Sequence, residues 1–112
     1  MSSGTVVEKR ILALASTART ASETSGTFSL PGDADHVGLA SDTTAYTSGS
    51  LAIQLQHSLD GVNWVDVPGA TGTSGVVGVV VNFATKPVLP MLRVVATETA
   101  IIATQSVYII YG

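Results

Sequence analysis

The chain contains no cysteine, which excludes both a disulfide framework and a thiolate metal site. No apolar run is long enough to cross a bilayer as a helix, because Gly, Ser and Thr interrupt every hydrophobic stretch. The N-terminal segment MSSGTVVEKR lacks the apolar run of a signal peptide, so we expect none. The 112 residues suit one domain with a modest core, with Met1–Gly4 as a flexible arm.

Charged side chains are also scarce. They make up 12% of the sequence, whereas a soluble domain usually has about 25%. The net charge is −3 and the five basic residues are scattered, so the sequence does not predict a nucleic-acid surface. The mean hydropathy of the sequence is +0.44. Because so few charges would keep a monomer soluble, we expect part of the surface to be covered by copies of the chain or by a larger assembly. The alternative is a tightly packed β domain with a neutral Ser/Thr surface.

No stretch has the periodicity of an amphipathic helix, and β-branched residues dominate instead. The pattern predicts an all-β fold, a single antiparallel β-sandwich or jelly-roll-like domain of about eight strands. Turns are expected at Thr47–Gly49 and Glu98–Ala100, and a flexible loop at 70–75. The predicted strands are Thr5–Ala15, Thr27–Leu30, a strand within Asp35–Tyr46, Leu51–Ser58, Val62–Val67, Gly75–Ala84, Met91–Thr97 and Ile101–Tyr111.

The clearest single element is a hairpin within Leu51–Trp64, LAIQLQHSLDGVNW. Its first strand alternates apolar and polar residues, which is typical of a half-buried strand. Asp60 and Gly61 are residues that tolerate a hairpin turn, and Ser58 and Asp60 can bond its amides. Trp64, the only tryptophan, is expected to pack across the ladder.

The alternation of side chains between the two sides of a strand also predicts the core and a possible interface. The run from Val76 to Val81 is apolar at both parities, so it is expected to face the core on one side and a partner on the other. The predicted interface residues are Val6, Val7, Val76, Val77 and Val80. The predicted core comprises Val7, Leu12, Phe28, Leu39, Leu51, Ile53, Leu55, Trp64, Val79, Val81, Leu92, Val94, Ile102 and Ile109.

Two polar clusters contain residue types that occur in chemical sites. His57, Ser58 and Asp60 are the residue types of a nucleophilic triad, but neighbouring strand residues point to opposite faces and no nucleophile-elbow sequence is present. Asp33, Asp35, His36 and Asp42 offer too few ligands at suitable spacing for calcium. We therefore predict no catalytic, cofactor-binding or metal site and no enzyme activity.

Four aromatic side chains raise the possibility of a carbohydrate platform, since small β-sandwiches often bind sugars. They are Trp64, Tyr46, Tyr108 and Tyr111. Tyr108 and Tyr111 are three positions apart and should face opposite sides of one strand. Carbohydrate binding is therefore the less favoured alternative.

The segment Ser58-Leu59-Asp60-Gly61-Val62-Asn63-Trp64 is similar to the S-x-D-G-x-x-W hairpin of small structural proteins of tailed bacteriophages. An alternating strand ending in Gln-His-Ser precedes it, Leu92-Arg93-Val94 follows, and the resemblance extends from about Thr20 to Tyr111. The segment also resembles the Asp box of sialidase propellers. It is one residue short of that motif and occurs once, whereas a propeller needs repeats.

The phage resemblance implies a virion component, most concretely a capsid decoration or cement protein. Such proteins are small, all-β and commonly trimeric. The resemblance therefore implies a homotrimer bound to the major capsid protein on the capsid exterior, made in the host cytoplasm without a signal peptide and needing no cofactor. A tail or head-fibre component is the alternative within the particle. Binding several capsid subunits at once gives avidity without high intrinsic affinity, which suits a shell under internal pressure.

Overall fold

The computed structural model describes residues 9–30, 36–74, 77–85 and 88–112. Those residues form seven strands and no helix, and all pairings are antiparallel within one sheet, which confirms the predicted all-β class. The strands are β1 Lys9–Arg19, β2 Glu23–Thr24, β3 Phe28–Ser29, β4 Val37–Ser58, β5 Val65–Ser74, β6 Gly78–Phe83 and β7 Met91–Tyr111. Met1–Gly4, Val6, Val7, Asp33, Asp35 and Val76 lie outside the described residues.

Strands β4 and β7 form the backbone of the sheet and pair from Val37↔Tyr111 to Ser58↔Met91. Register shifts near Ser48 and Ser50 interrupt this long ladder. They divide the sheet into two parts. The first half-sheet has the order β1, β7 (103–111), β4 (37–46), β6. The second half-sheet has β2 and β3 beside β7 (91–99), then β4 (51–58) and β5.

The two half-sheets pack face to face around one core. Leu39 and Ile109 from the first half-sheet join Ile53, Leu55 and Leu92 from the second in a single cluster of buried apolar side chains. Within the second half of β4 the buried residues alternate with more exposed ones, as the period of a strand requires. The result is a β-sandwich-like domain formed by one bent sheet.

A backbone hydrogen bond ties the two layers together at one side. The Thr85 amide donates to the Pro68 carbonyl oxygen at 2.9 Å, whereas the preceding Ala84 amide donates to the Val37 carbonyl oxygen at 2.8 Å within the first half-sheet. Pro68 belongs to β5 and Thr85 follows β6, so this contact bridges the outer strands of opposite half-sheets. The edges of the bent sheet are therefore linked by one main-chain bond on that side.

The turns predicted at Thr47–Gly49 and Glu98–Ala100 are wrong, because both segments lie inside long strands. The loop predicted at 70–75 is wrong over 70–74, which belongs to β5. At Gly49 and Ala100 the backbone takes left-handed φ values of 79° and 50°, so the strands bend without reversing. Small, polar and glycine residues accompany both turns and bulges, so composition alone does not separate the two.

Seven predicted core residues are confirmed as buried: Leu39, Leu51, Ile53, Leu55, Leu92, Val94 and Ile109. Leu12, Val79, Val81 and Ile102 were wrongly predicted and are exposed, while Phe28 and Trp64 are half-buried. Leu12, Val79 and Val81 belong to the outer side of the first half-sheet, which is apolar as well. Ile101 is buried in place of Ile102. The bend beside Ala100 shifts by one residue the alternation of inward and outward side chains along β7.

Candidate functional surfaces

The outer sides of the two half-sheets differ in chemistry. Antiparallel partners point to the same side of a sheet, so the register identifies the members of each side. Leu39 is fully buried on the inner side, which places its neighbour Ala40 and the partners of Ala40 on the outer side. The apolar outer face of the first half-sheet comprises Arg10, Leu12, Gly38, Ala40, Asp42, Val79, Val81, Phe83, Ser106, Tyr108 and Ile110.

Large apolar side chains on this face are open to solvent. Leu12 is 50% exposed, Val79 65%, Val81 46% and Phe83 42%. Leu12, Tyr108, Ala40 and Val81 form one continuous row across the four strands. A contiguous exposed apolar patch is the usual mark of an interaction surface, whereas single exposed hydrophobic residues are common everywhere.

Small residues in β4 keep the apolar outer face flat. Gly38 lies beneath the Phe83 side chain, whose Cδ1 atom is 2.9 Å from where a Cβ on Gly38 would stand. The His36 ring meets the Phe83 ring edge to face, with centroids 5.6 Å apart and planes inclined at 68°. Glycine and alanine in the central strand therefore leave the aromatic ring of β6 lying across the sheet.

Two charged residues flank the centre of the apolar outer face. The Arg10 guanidinium carbon lies 5.1 Å from the centroid of the Tyr108 ring, a cation–π contact. Asp42 is half-buried on β4, opposite Ser106 and Val79. Arg10 is on the other side of Tyr108, so the charges stand apart.

The second half-sheet carries a polar ladder on its outer side. The Gln56 Nε2 atom donates to Asp66 Oδ1 at 2.8 Å, and its Oε1 atom accepts a 2.8 Å bond from Arg93 Nε. The Arg93 guanidinium carbon lies 4.5 Å from the centroid of the Trp64 ring. Trp64 thus packs across the ladder as predicted, but its partner is an arginine on the outer side and not the core.

Gln54, on the same side, closes a bulge in β5. Its Nε2 atom donates to the carbonyl oxygens of Leu55 at 2.7 Å, Val67 at 3.1 Å and Ala70 at 3.3 Å. The extra residues of β5 lie between the partners of Gln54 and Gln56, where the register shifts. One amide side chain therefore satisfies carbonyl groups that the bulge takes out of the ladder.

The hairpin loop is built around the Asp60 carboxylate. Its Oδ1 atom accepts bonds from the Val62 amide at 2.8 Å, the Asn63 amide at 2.9 Å and the Ser58 hydroxyl at 3.0 Å. Its Oδ2 atom accepts a 2.9 Å bond from Asn63 Nδ2, and the Gly61 amide donates to Ser58 Oγ at 2.9 Å. The Asn63 and Val62 amides, followed by the two side chains, hold the pKa of Asp60 well below its usual range.

Apolar side chains project from the tip of this rigid loop. Leu59 is 74% exposed and Val62 is 77% exposed, and they flank Asp60 and Gly61 in the sequence. Gly61 has a φ of 77°, which confirms that it supplies the left-handed turn residue. The loop thus presents two hydrophobic groups on a backbone that its own side chains fix in place.

The geometry does not assemble a nucleophilic triad at the hairpin. His57 Nδ1 accepts a 3.0 Å bond from the Leu89 amide, and the Ser58 hydroxyl serves the Asp60 carboxylate. Across the described ranges no three His, Asp or Glu side chains group to hold a metal ion, and His36 contacts Phe83. In the same ranges no helix has the length and apolar character to span a membrane.

The predicted interface and aromatic residues occupy several environments. Val77 is exposed just before β6. Val80 is half-buried and faces β5, where its Cγ1 lies 3.8 Å from the position of a Cβ on Gly72. Tyr111 packs against the core, and Tyr108 lies on the apolar outer face. The Tyr46 hydroxyl donates to the Gly49 carbonyl oxygen at 2.8 Å. The aromatic residues therefore do not form one platform.

No protein-family model, curated protein or solved structure matches this chain. The apolar outer face was missed by sequence reasoning, which assigned Leu12, Val79 and Val81 to the core and placed the interface side of β6 at Val80. The signal for it was present in β6, where apolar residues occur at both parities. The sequence pattern of β6 does not indicate which of its two sides the second half-sheet covers.

Proposed function

We propose that this chain is a non-enzymatic structural protein of a tailed-bacteriophage virion, a capsid decoration or cement protein. It binds major capsid subunits on the exterior of the head and associates with itself. The apolar outer face is the observation that carries this proposal, because it leaves Leu12, Val79 and Val81 open to water in an isolated chain. The hairpin resemblance supplies the link to phage particles.

The scarcity of charge supports assembly over a free-standing role. Charged residues are 12% of the chain, and among the residues of the apolar outer face only Arg10 and Asp42 are charged, one on each side of Tyr108. The buried centres of interfaces are depleted of charge in the same way. A surface of this kind loses unfavourable contact with water when a partner covers it.

The hairpin tip offers a second contact, separate from the apolar outer face. Leu59 and Val62 are exposed, and the Asp60 bonds fix the backbone that carries them. A preordered loop loses little conformational freedom on binding, which favours its insertion between capsid subunits. We assign shell binding to this tip, and the combination of tip contacts with self-association gives avidity on a repetitive shell.

Cosedimentation with empty heads of the phage that encodes the chain tests the proposal. The wild-type chain should pellet with the heads. The Val62→Asp variant should stay in the supernatant, because a charge replaces the apolar contact. Thr97→Asp is the matched control, an exposed strand position on the polar outer side, and it should bind as the wild type does. A wild-type chain that never pellets with the heads contradicts the proposal.

Carbohydrate binding is the second candidate, and one observation favours it. Trp64, Arg93, Gln56 and Asp66 form a connected aromatic and polar ladder on the outer side of the second half-sheet. Sugar sites combine an aromatic face with oriented polar groups in the same way. A glycan array probed with the wild type and with Trp64→Ala separates the candidates. Glycan binding that a folded Trp64→Ala variant loses would favour this second function.

A further inference from the structure

We infer that the apolar outer face binds a second copy of this chain about a two-fold axis near Tyr108, with Arg10 of each copy against Asp42 of the other. The inference rests on the proposed function only in treating this face as an assembly surface. It adds the partner, the symmetry and the charged pair that orients it. In an isologous contact both copies use the same surface, so the assembly is complete as a dimer. The inferred dimer therefore differs from the homotrimer that the phage resemblance implies.

The strand register places Tyr108 midway between the backbone positions of Arg10 and Asp42. Tyr108 pairs with Leu12 on one side and with Ala40 on the other. Arg10 lies in the row of Ile110, two residues along β7 in one direction, and Asp42 lies in the row of Ser106, two residues in the other. Arg10 and Asp42 are therefore at opposite ends of a diagonal whose centre is Tyr108.

This diagonal makes the face complementary to itself. A two-fold axis lying in the plane of the contact and perpendicular to the diagonal exchanges its ends. It therefore brings Arg10 of one copy over Asp42 of its partner, twice in each dimer. An apolar face alone does not specify a partner, but one cation and one anion related in this way match a second copy. A copy docked in the opposite orientation would place like charges together, which disfavours that register.

The apolar residues of the face fit the same arrangement. With the axis through Tyr108, the Tyr108 side chains of the two copies face each other at the centre, and each Arg10 guanidinium turns from its own Tyr108 ring toward Asp42 of the partner. Val81 then comes over the region of Ile110 and Gly38. The strands of the two copies then cross at a steep angle, as in orthogonal packing of two sheets. The flatness that Gly38 and Ala40 give to the face allows this close contact.

The size of the face predicts a weak dimer. Four strands spaced by about 4.8 Å and six residues of about 3.4 Å each give a contact of roughly 400 Å² per copy. A standard stable interface covers about 800 Å² per partner. We therefore expect association that depends on concentration in solution and that becomes stronger where many copies share one shell.

Sedimentation velocity over a concentration series of about 5 to 500 μM measures this association. The wild type should shift from monomer to dimer. Arg10→Asp and Asp42→Arg should each weaken the dimer by about tenfold or more, because each substitution sets two like-charged pairs against each other. The double variant Arg10→Asp/Asp42→Arg should restore the dimer, since it reverses both charges of each pair.

Far-UV circular dichroism and thermal unfolding check that each variant folds, and the two single variants test the same pair independently. Thr97→Asp, on the polar outer side, should dimerise as the wild type does. The inference is overturned if the wild type is monomeric throughout or forms a trimer. It is also overturned if neither single variant weakens the dimer, or if the double variant stays dissociated. Head binding is read separately. A monomer that still pellets with heads overturns the dimer alone, whereas a dimer that ignores heads overturns the proposed function alone.

Discussion

Gly49 of β4 lies directly against Ala100 of β7, and a Cβ on Gly49 would collide with the Ala100 carbonyl group. Both residues have left-handed backbone conformations, with φ values of 79° and 50°. They stand where the two longest strands pass from the first half-sheet to the second. This pair therefore marks the bend that turns one sheet into two facing layers.

Gly49→Ala should destabilise the protein by about 2 kcal/mol or more, because a side chain is strained at this φ and meets the β7 backbone. Urea unfolding followed by circular dichroism measures the loss. Gly26→Ala is the control, since a Cβ there meets no other atom within 4 Å. Equal stabilities for the two variants would show that the bend does not depend on Gly49.

Ala100→Gly should leave stability unchanged or raise it by up to about 1 kcal/mol. Glycine relieves the left-handed strain of Ala100 but adds freedom to the unfolded chain, and the two effects partly cancel. The same urea titration shows whether the free energy of unfolding rises or falls. A loss of more than about 1 kcal/mol would mean that the methyl group supports the bend by packing.

The Asp60 carboxylate should make hairpin stability depend on pH. Its pKa is lowered in the folded chain, so its contribution is complete above about pH 4 and is lost as the pH falls below that value. Asp60→Asn keeps an oxygen acceptor but has no charge to titrate. We expect the wild type to lose more stability than Asp60→Asn between about pH 6 and pH 3 in urea titrations. Parallel pH profiles would contradict this.

Truncation of Leu39 and of Leu12 should separate the two sides of the first half-sheet. Leu39 is fully buried and Leu12 is half exposed on the apolar outer face. Leu39→Ala should cost about 2–5 kcal/mol, and Leu12→Ala about 0.5 kcal/mol or less at concentrations where the chain is monomeric. Unfolding by urea at about 1 μM protein provides the comparison. Similar costs would mean that both sides are packed in the monomer.

Gln54→Ala should cost about 1–2 kcal/mol, because the Val67 and Ala70 carbonyl oxygens then lose a donor near a buried part of β5. The matched variant is Gln56→Ala, whose side-chain bonds to Asp66 and Arg93 are more exposed. Thermal unfolding of both variants tests the difference. A smaller loss for Gln54→Ala than for Gln56→Ala would show that the bulge closes without the amide.

Local patterns predicted a large part of the fold and of the hairpin. The strict alternation in Leu51–Leu55 predicted its buried side, and all three of its large apolar residues lie in the core. The Ser58, Asp60 and Gly61 cluster predicted a side-chain-bonded turn, and the hydrogen bonds confirm it. Both features depend on contacts within a few residues, which the sequence states directly.

The apolar outer face and the buried polar pair depended on distant contacts. Gln105 is fully buried, and its Nε2 atom donates to Thr43 Oγ1 at 2.8 Å, although the two residues are far apart in sequence. The apolar residues of β6 have no local feature that distinguishes their covered side from their open one. The packing of the second half-sheet makes that choice, because it shields the side that bears Val80 and leaves Val79 and Val81 exposed.

By itself the sequence determined that the chain is built of antiparallel strands, that it has few charges to keep a monomer soluble, and where its sharpest turn lies. These properties follow from composition, from side-chain period and from turn chemistry, all of which are local. Only the tertiary structure decided that Gly49 and Ala100 bend two long strands instead of ending four short ones. It also decided which apolar side remains open for a partner, because burial is set by the layer that packs opposite.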